Sequence, residues 1–471
     1  MQSKNKIEIL EKKNEKLKKE NIEKDNYIKH LQKEYEQTIG VYGSELERIN
    51  FMRFLRLNYY YIRNKGILKW MVEVLRSLGK VIKLIFNKII KVFSKFIHRI
   101  NLKKILKQEN YKQIFVFYPG YDWNMKMYQR PQHMAVHFSD KDILFFYCTV
   151  NLNDSINGFK KIKKNLYVTN QFQLLKKYLP KYTLYLYANE NGCFMKELKE
   201  ILKRGNNLLY EYIDDLHEDL TKISNDLLTR HRFVLENTKF PVVATAHYLF
   251  EKAKKIRGSS KNILFSTNGV VYDDFHITTT LPIPEDMIKI VNEKKPIIGY
   301  YGALARWFDY DLIEKIALKH KDWNIILIGI DYDDSFKKHN YFKHLKNVYY
   351  LGTKEYKELI KYGNCCDILT IPFIINDITL STSPVKVFEY MSMEKPIITT
   401  DLPECRRYKS VKIGKDHNEF ISLLETTLKD KDNKEYKELL KKEALENTWT
   451  SKVNEILLFL KNGKKKGTNK W

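Results

Sequence analysis

The stretch STSPVKVFEYMSMEKPIITTDLPE, residues 381–404, joins a helix start, a single acid on that helix and a buried strand. Ser383 before Pro384 predicts the helix start, because serine caps free N–H groups and proline fits the first helical position. Such a start favours an anion, and Lys386 adds a full positive charge, so a diphosphate suits it. Glu389 can then accept hydrogen bonds from the two hydroxyls of a ribose. Taken alone, Glu389 is more simply an acid on a helix surface.

Short apolar runs alternate with helical stretches on both sides of a break near residues 272–294, where LPIPED interrupts the pattern. The first series comprises QIFVFYP (113–119), DILFFYC (142–148), LYLYA (184–188), NLLYEY (207–212), PVVAT (241–245) and NILFS (262–266). The second comprises KPIIGYYG (295–302), WNIILIG (323–329), NVYYLG (347–352), CDILTIP (366–372) and KPIITT (395–400). Nearly continuous apolar strands separated by helices predict parallel sheets covered on both faces. We therefore predict an α/β fold of two Rossmann-like, doubly wound domains with a cleft between them.

The chain is long enough for several domains and segments. Its 471 residues, 44% of them hydrophobic, are enough to bury more than one core. The predicted order is a coiled coil (1–48), a basic amphipathic helical segment (49–108), an N-terminal Rossmann-like domain (109–290), a C-terminal one (291–460) and a basic tail (461–471). Five cysteines without a CxxC pair or metal spacing indicate packing residues in a reduced, cytosolic compartment. The first residues contain no apolar stretch typical of a secretory signal.

The positive charge of the chain is concentrated in one segment. The formal net charge is +26, which predicts an anionic partner such as nucleic acid, anionic lipid or a phosphorylated substrate. Residues 51–105 hold fourteen Lys and Arg residues and a single acid, Glu73, so half of the net charge lies there.

Residues 66–100 combine this charge with a broad apolar face. Most of the charges recur three or four residues apart, as on one stripe of a helix, and no uncharged run approaches the roughly 20 residues that span a bilayer. A helix lying in the membrane interface, with its cations at the headgroups of anionic lipids, satisfies both faces. The alternatives are a helical hairpin packed on the body of the protein and, less favoured because Phe and Ile fill the apolar face, nucleic-acid binding. We predict an anionic membrane surface and no nucleic acid.

Residues 1–48 keep a seven-residue register. One core position is occupied by Ile7, Asn14, Asn21, Ile28 and Tyr35, and the other by Leu10, Leu17, Lys24, Leu31 and Thr38. Asparagine at a core position costs stability but favours a parallel dimer in register. The sequence therefore predicts a parallel homodimer through a coiled coil, with a single solvated helix as the alternative.

Six motifs follow one another between residues 110 and 455. They are YPGYDWNMKMYQRPQHMAVHF (118–138), STNGVVYDDF (266–275), GYYGALARWFDYDLI (299–313), WNIILIG (323–329), NVYYLGTKEYKELIKYGNCCDILTIPF (347–373) and SPVKVFEYMSMEKPIITTDLPE (383–404). In combination they resemble retaining glycosyltransferases of the GT-B fold that use nucleotide sugars. The resemblance is strongest to bacterial family-4-type enzymes that build capsule, teichoic acid and lipopolysaccharide chains.

The resemblance implies a donor site in the second domain. Glu389 matches the second of two glutamates, seven residues apart, that mark the family, and would bind the donor ribose. The first glutamate is replaced by Ser381, so the contact with the transferred sugar is altered, and Asn376 or Asp377 is a candidate substitute.

The resemblance also places cations on the donor phosphates. In this chain the candidates are Arg306, which follows Gly302, and Lys386, each of which is alternatively a surface cation. Such cations stabilise the negative charge of a leaving diphosphate. No DxD motif occurs in the usual context, so we expect no essential metal and no cofactor besides the nucleotide-sugar co-substrate.

Residues at the cleft edge of the first domain are the remaining candidates. The helix starting in YQRPQHMA presents Arg130, Gln132 and His133 to donor or acceptor, and His133 matches a family histidine near the transferred sugar. Asp214 and Asp215 end the stretch NLLYEYIDD (207–215), at the carboxyl edge where open sheets bind ligands. His133 and Asp215 are therefore the catalytic candidates, and Arg130, Gln132 and Asp214 the acceptor or cleft residues, with structural roles as the alternative for each.

The whole pattern predicts a glycosyltransferase on the inner face of the cell membrane that moves a sugar from a nucleotide donor to a growing glycan or a lipid-linked acceptor. Two alternatives remain. One is a related transferase moving a phosphorylated or unusual group, and the other is a noncatalytic coiled-coil scaffold at the membrane with a transferase-like body.

Overall fold

The apolar runs of the sequence form two sheets of mostly parallel strands. A computed structural model describes residues 93–125, 128–217, 223–338, 342 and 344–465. The chain divides into two units, residues 1–96 and 97–471, and both sheets belong to the second. The predicted coiled coil (1–48) and most of the predicted amphipathic segment (49–92) lie outside the described residues.

The first sheet has eight strands in the spatial order β3–β4–β2–β1–β5–β6–β7–β8. These strands are β1 Gln113–Phe117, β2 Ile143–Cys148, β3 Phe159–Lys163, β4 Leu166–Thr169, β5 Thr183–Tyr187, β6 Asn207–Tyr212, β7 Val242–Ala244 and β8 Ile263–Phe265. All neighbouring strands are parallel except β3, which pairs antiparallel with β4 at one edge.

The second sheet has six parallel strands in the order β11–β10–β9–β12–β13–β14. They are β9 Ile297–Tyr301, β10 Asn324–Ile328, β11 Val348–Tyr350, β12 Ile368–Ile371, β13 Ile397–Thr400 and β14 Val411–Gly414.

Helices connect the strands and cover the sheets. They are α1 93–108, α2 Arg130–Ser139, α3 Phe172–Tyr178, α4 Met195–Lys203, α5 Asn225–Glu236, α6 His247–Arg257, α7 Tyr272–Phe275, α8 Ile288–Asn292, α9 Tyr310–Lys319, α10 Ser335–Lys338, α11 Leu359–Asn364, α12 Asp377–Leu380, α13 Val385–Ser392, α14 His417–Lys429, α15 Lys434–Glu446 and α16 Trp449–Lys465. Short 3₁₀ turns lie at Glu285–Met287, Tyr356–Glu358 and Cys405–Arg407. In the described part of the chain, no helix has the length and apolar composition needed to cross a bilayer.

All eleven predicted strands form, and three further strands were not predicted. Strand β3 has the sequence FKKIK and lies at the edge of the sheet. Three of its five residues are lysines, so the strand lacks the apolar run by which the eleven strands were predicted. Strands β4 (LYVT) and β14 (VKIG) have four residues each, which is too short for a periodic signal. The antiparallel edge formed by β3 is therefore a departure from the predicted all-parallel pattern.

The C-terminal helix joins the two sheets. Two apolar clusters cover the faces of the first sheet, and one of them is completed by Trp449, Val453 and Ile456 of α16. Trp449 is fully buried, and α16 packs on α2 of the first domain. The end of the chain thus returns from the second sheet to the first, which fixes the cleft between them from one side.

Two glycines allow the ends of β9 and β10 to approach each other at the cleft. Gly302 and Gly329 have φ of +148° and +146°, a region that side chains disfavour. A Cβ added to Gly329 would lie 1.7 Å from the carbonyl oxygen of Gly302. The turn between strand and loop at this point therefore requires glycine.

We expect Gly329→Ala to lower the free energy of unfolding by about 3 kcal/mol or more, because the methyl group meets backbone that cannot rotate away. Gly205→Ala is the matched control, since Gly205 also has a positive φ of +77° but nothing within 4 Å of the added Cβ. That variant should lose about 1 kcal/mol from backbone strain alone. Equal urea midpoints for the two variants would show that the close contact between position 329 and the Gly302 backbone does not determine the loss of stability.

Candidate active site

A cavity of about 420 Å³ lies between the two sheets, at the carboxyl ends of their strands. From the first domain it is lined by Tyr121, Tyr128, Gln129, Arg130, Pro131, Tyr187, Ile213, Asp214 and Asn268. Polar and aromatic lining residues of the second domain include Tyr300, Tyr301, Trp307, Tyr332, Thr353, Lys354, Tyr356, Thr379, Thr382, Ser383, Lys386 and Glu389. The position agrees with the general rule that open α/β sheets bind ligands at this edge.

Half of the residues predicted for the site line this cavity. They are Arg130, Asp214, Gly302, Ser383, Lys386 and Glu389. The other six, which lie outside its lining, are Gln132, His133, Asp215, Arg306, Asp377 and Ser381.

Glu389 lies on α13 with its carboxyl group buried in the wall of the cavity. Burial raises the pKa of Glu389 to about 7, although the neighbouring Tyr301 hydroxyl and the charge of Lys386 act in the opposite direction. The side chain is 8% exposed. The carboxylate is therefore not the helix-surface acid of the simpler interpretation.

Lys386 lies one turn earlier on α13 and reaches towards the glycine at the end of β9. Its ammonium group is 5.6 Å from the ring centre of Tyr300 and 5.3 Å from that of Phe373. A Cβ on Gly302 would come within 2.9 Å of the ammonium nitrogen, so glycine leaves the space that Lys386 occupies. Burial lowers the pKa of Lys386, and the charge of Glu389 offsets part of this effect. A half-buried cation of this kind gains from an anionic ligand.

The start of α13 differs from the sequence prediction. The helix begins at Val385 with Pro384 at the N-cap, and among the described residues no side chain caps it, so Ser383 is not the capping residue. The Ser383 hydroxyl instead accepts a hydrogen bond from the backbone N–H of Asn268, at 3.3 Å. Ser383 is turned towards the segment that joins the domains, which leaves the first N–H groups of α13 for a ligand.

Arg130 is held by an internal carboxylate. Its guanidinium group donates to both carboxylate oxygens of Glu211, at 2.9 and 2.7 Å, and Tyr185 donates to the same carboxylate at 2.6 Å. Both charged side chains are at most 5% exposed. Burial lowers the pKa of Arg130, but the charge of Glu211 more than compensates and raises it above its usual value. Arg130 therefore reaches the cavity as a paired charge.

His133 and Gln132 lie outside the lining of the cavity. The His133 ring stacks on Trp449 at 5.0 Å and contacts the edge of Tyr128 at 4.8 Å. Burial lowers its pKa to about 3, so the imidazole is neutral at physiological pH. Gln132 is fully buried and its amide donates to the carbonyl of Asp122 at 3.1 Å.

The two adjacent aspartates have different surroundings. Asp215 accepts hydrogen bonds from Lys252, at 2.6 and 2.8 Å, and from Tyr212, at 2.5 Å, outside the cavity. Asp214 lines the cavity, and burial together with the charge of Asp215 raises its pKa to about 6. Of the pair, Asp214 is thus the acid that a ligand can reach.

The remaining candidates occupy the loops of the second domain. Ser381 is fully buried and its hydroxyl donates to the carbonyl of Ile378 at 2.9 Å. The Asn376 side chain caps α12, which begins at Asp377. Arg306 is half exposed and donates to Asp333 at 2.9 Å. The position of the missing glutamate is therefore packed inside the second domain, and none of these four side chains lines the cavity.

Several aromatic residues of the cavity were not predicted. Tyr301 lies beside Glu389, and the Tyr356 hydroxyl donates to Asp274 at 3.2 Å with its ring 6.1 Å from Tyr128. Tyr300 and Tyr301 end the strand KPIIGYYG, so their place at the carboxyl edge of a strand was a signal that could have found them.

A metal site is not apparent in this part of the chain. Among the described residues, no group of three or more His, Cys, Asp or Glu side chains is placed to hold a metal ion. The five cysteines are free thiols, four of them buried.

Comparison with known proteins agrees with this geometry. Residues 295–430 match the family of glycosyl transferases group 1. The putative teichuronic acid biosynthesis glycosyltransferase TuaH of Bacillus subtilis (strain 168) is 23% identical over 265 residues, which are 54% of this chain and 66% of that protein.

Solved structures share the fold. The Anabaena protein Alr3699/HepE, in complex with UDP, superposes with a TM-score of 0.54 at 13% identity, over 74% of this chain and 100% of that one. Sucrose-phosphate synthase from Thermosynechococcus elongatus gives a TM-score of 0.53 at 13% identity, over 76% and 100%.

The comparisons and the fold together define the class, a glycosyltransferase with the GT-B fold, and confirm that prediction. Within the chain, the match to the family of glycosyl transferases group 1 covers residues 295–430, which hold the second sheet and the donor-site candidates Lys386 and Glu389.

The buried ion pair gives a stability prediction. We expect Glu211→Gln to lower the free energy of unfolding by about 3–5 kcal/mol, because it leaves the Arg130 charge buried without its partner. Glu236→Gln is the control, since it breaks the exposed Arg232–Glu236 pair of 2.6 Å on α5 and should change stability little. Denaturant titration measures both, and similar losses would contradict the assigned role of Glu211.

Proposed function

We propose that the protein transfers a sugar from a UDP-linked donor to a hydroxyl group of a growing cell-surface glycan or its lipid-linked precursor. The observation that carries the proposal is the pairing of Lys386 and Glu389 on one buried helix that faces the interdomain cavity. The UDP and UDP-glucose complexes of HepE support the choice of nucleotide. The teichuronic acid assignment of TuaH supports the class of product.

The donor lies along α13 in this proposal. The diphosphate faces Lys386 and the free N–H groups at the start of the helix, and Glu389 accepts hydrogen bonds from the ribose hydroxyls. As the bond to the sugar breaks, negative charge grows on the diphosphate, and a cation already in place stabilises it. The anomeric configuration is retained, as the resemblance to the family implies.

The acceptor lies on the opposite wall. Asp214 accepts a hydrogen bond from the acceptor hydroxyl and, with a pKa of about 6, is largely ionised at neutral pH. An ionised carboxylate at this place makes the hydroxyl oxygen a better nucleophile.

The protein acts at the inner face of the cell membrane in this proposal. At the end of the basic segment, α1 leaves Phe96, Ile97 and Ile100 exposed, at 59%, 41% and 38%. Farther along the same helix, Leu102 and Ile105 are buried in the core of the first domain. A segment anchored in this way would bring the cavity close to lipid-linked acceptors, and the coiled coil would pair two copies.

The donor site predicts selective binding of UDP-glucose that depends on Glu389 and on pH. At pH 8, isothermal titration should show at least tenfold weaker binding to Glu389→Ala than to the wild type, whereas Asp214→Asn should bind within about twofold while losing transfer activity. Between pH 8 and pH 6 the wild-type affinity should fall about tenfold, because a group with a pKa of about 7 becomes protonated and loses acceptor capacity.

UDP-glucose suits this measurement, because a diphosphodiester does not titrate in this range. The Glu389→Gln variant is the control and should bind weakly with little dependence on pH. If a folded wild-type sample binds none of the sugar nucleotides of UDP, GDP, ADP or CMP, the donor site is wrong and the scaffold alternative gains.

Membrane binding is tested by replacing Lys80, Lys83, Lys88 and Lys91 with glutamine. Because each basic residue near anionic lipid contributes about 1 kcal/mol, sedimentation with phosphatidylglycerol vesicles should weaken at least tenfold. The control replaces four exposed lysines of the second domain, Lys415, Lys429, Lys434 and Lys442, with the same loss of charge. Equal weakening by both sets would indicate non-specific attraction and contradict an interfacial helix.

A further inference from the structure

The segment between the two sheets carries an amide that contacts both domains. The Asn268 carbonyl oxygen accepts a hydrogen bond from Arg130 of α2, at 3.2 Å. The Asn268 amide nitrogen donates to the backbone carbonyl of Ser383, at 2.7 Å. The oxygen of the Asn268 amide thus bonds to the first-domain wall of the cavity, and its nitrogen bonds to the second-domain wall.

The partner on the first-domain side is rigid. Arg130 is fixed by its two bonds to Glu211, and the same guanidinium nitrogen that reaches Asn268 also donates to the carbonyl of Thr267 at 3.0 Å. Because the buried ion pair sets the guanidinium plane, the direction of the bond to Asn268 is set as well.

The backbone of Asn268 is also held in place. On its C-terminal side, Val270 exchanges hydrogen bonds with the start of α16, donating to Asn447 at 3.1 Å and accepting from Trp449 at 3.0 Å. A Cβ on Gly269 would lie 2.8 Å from the carbonyl oxygen of Asn447, so the two segments are in close contact. The amide of Asn268 thus extends from a fixed point.

The partner on the second-domain side leads directly into the donor helix. Ser383 precedes Pro384 and the first turn of α13, which carries Lys386. Glu389 lies farther along, between Phe388 and Tyr390 of the second core, so its position is fixed by packing. The bond from Asn268 therefore acts on the phosphate-facing end of the helix more than on the ribose-facing end.

We propose that Asn268 is a positioning residue that aligns the first turn of α13 with the donor diphosphate by linking it to Arg130. The inference rests on the proposed function. An amide is required, because one end of the side chain accepts from a guanidinium group and the other donates to a carbonyl oxygen. Aspartate satisfies Arg130 but has no donor for Ser383, and serine is too short to reach both.

The test compares UDP-glucose with uridine, which has the nucleoside but no phosphate. For Asn268→Asp we expect UDP-glucose affinity to fall about tenfold by isothermal titration, with uridine affinity unchanged within twofold. Asn268→Ser, which adds no charge, should show the same selective loss and serves if the aspartate variant does not fold.

Loss of affinity for both ligands to the same extent would mean a general structural role and overturn the proposal, as would no loss for either. Failure of the wild type to bind either ligand is a different result, since it would overturn the donor site itself and this inference with it.

Discussion

The buried pair of Arg130 and Glu211 is the interaction on which the cleft depends. Each charge is at most 5% exposed, and neither is tolerable in the interior without the other. The pair requires α2 to lie across the carboxyl end of β6, since each element supplies one partner. Once Glu211 occupies two N–H groups of Arg130, the rest of the guanidinium fork is directed at Thr267 and Asn268. A single ion pair thereby fixes a helix, a strand end and the segment between the domains.

The acidic groups that face the cavity, unlike Arg130 and Glu211, are not neutralised by a close partner of opposite charge in the described part of the chain. Glu389 and Asp214 have raised pKa values, of about 7 and about 6, because they are buried without a fully compensating partner. The interior pair of Arg130 and Glu211, by contrast, neutralises both of its charges. Ionisable groups with strongly shifted pKa values that gather in one cavity are typical of functional sites. Pairing and pKa shift together therefore distinguish the structural charges of this protein from the charges that face the cavity, which the residue types alone do not.

The sequence predicted the fold well and the site in part. Long apolar strands are visible because both faces of a parallel sheet are buried, whereas the lysine-rich edge strand β3 and the four-residue strand β14 give no such signal. The direction of a side chain was harder to predict. Arg130 and His133 share α2, yet Arg130 faces the cavity and His133 faces Trp449. Asp214 and Asp215 follow β6 in a loop, where no regular alternation applies, and only Asp214 lines the cavity while Asp215 bonds to Lys252. Motifs identify the element, and packing decides which of its residues reaches the ligand.

The two walls of the cavity differ in charge, and this difference supports the proposed orientation of donor and acceptor. On the second-domain wall, Lys386 carries a charge that Glu389 neutralises only in part, since Glu389 is itself protonated near neutral pH for much of the time. On the first-domain wall, the charge of Arg130 is already matched by Glu211, and Asp214 adds a negative charge. This distribution of charge supports the proposed placement of the donor diphosphate on the second-domain wall and of the neutral acceptor hydroxyl on the first-domain wall. Asn268 links the two walls by its hydrogen bonds to Arg130 and to the Ser383 carbonyl, so in the proposed function the two binding groups, Lys386 and Asp214, keep a defined relative position.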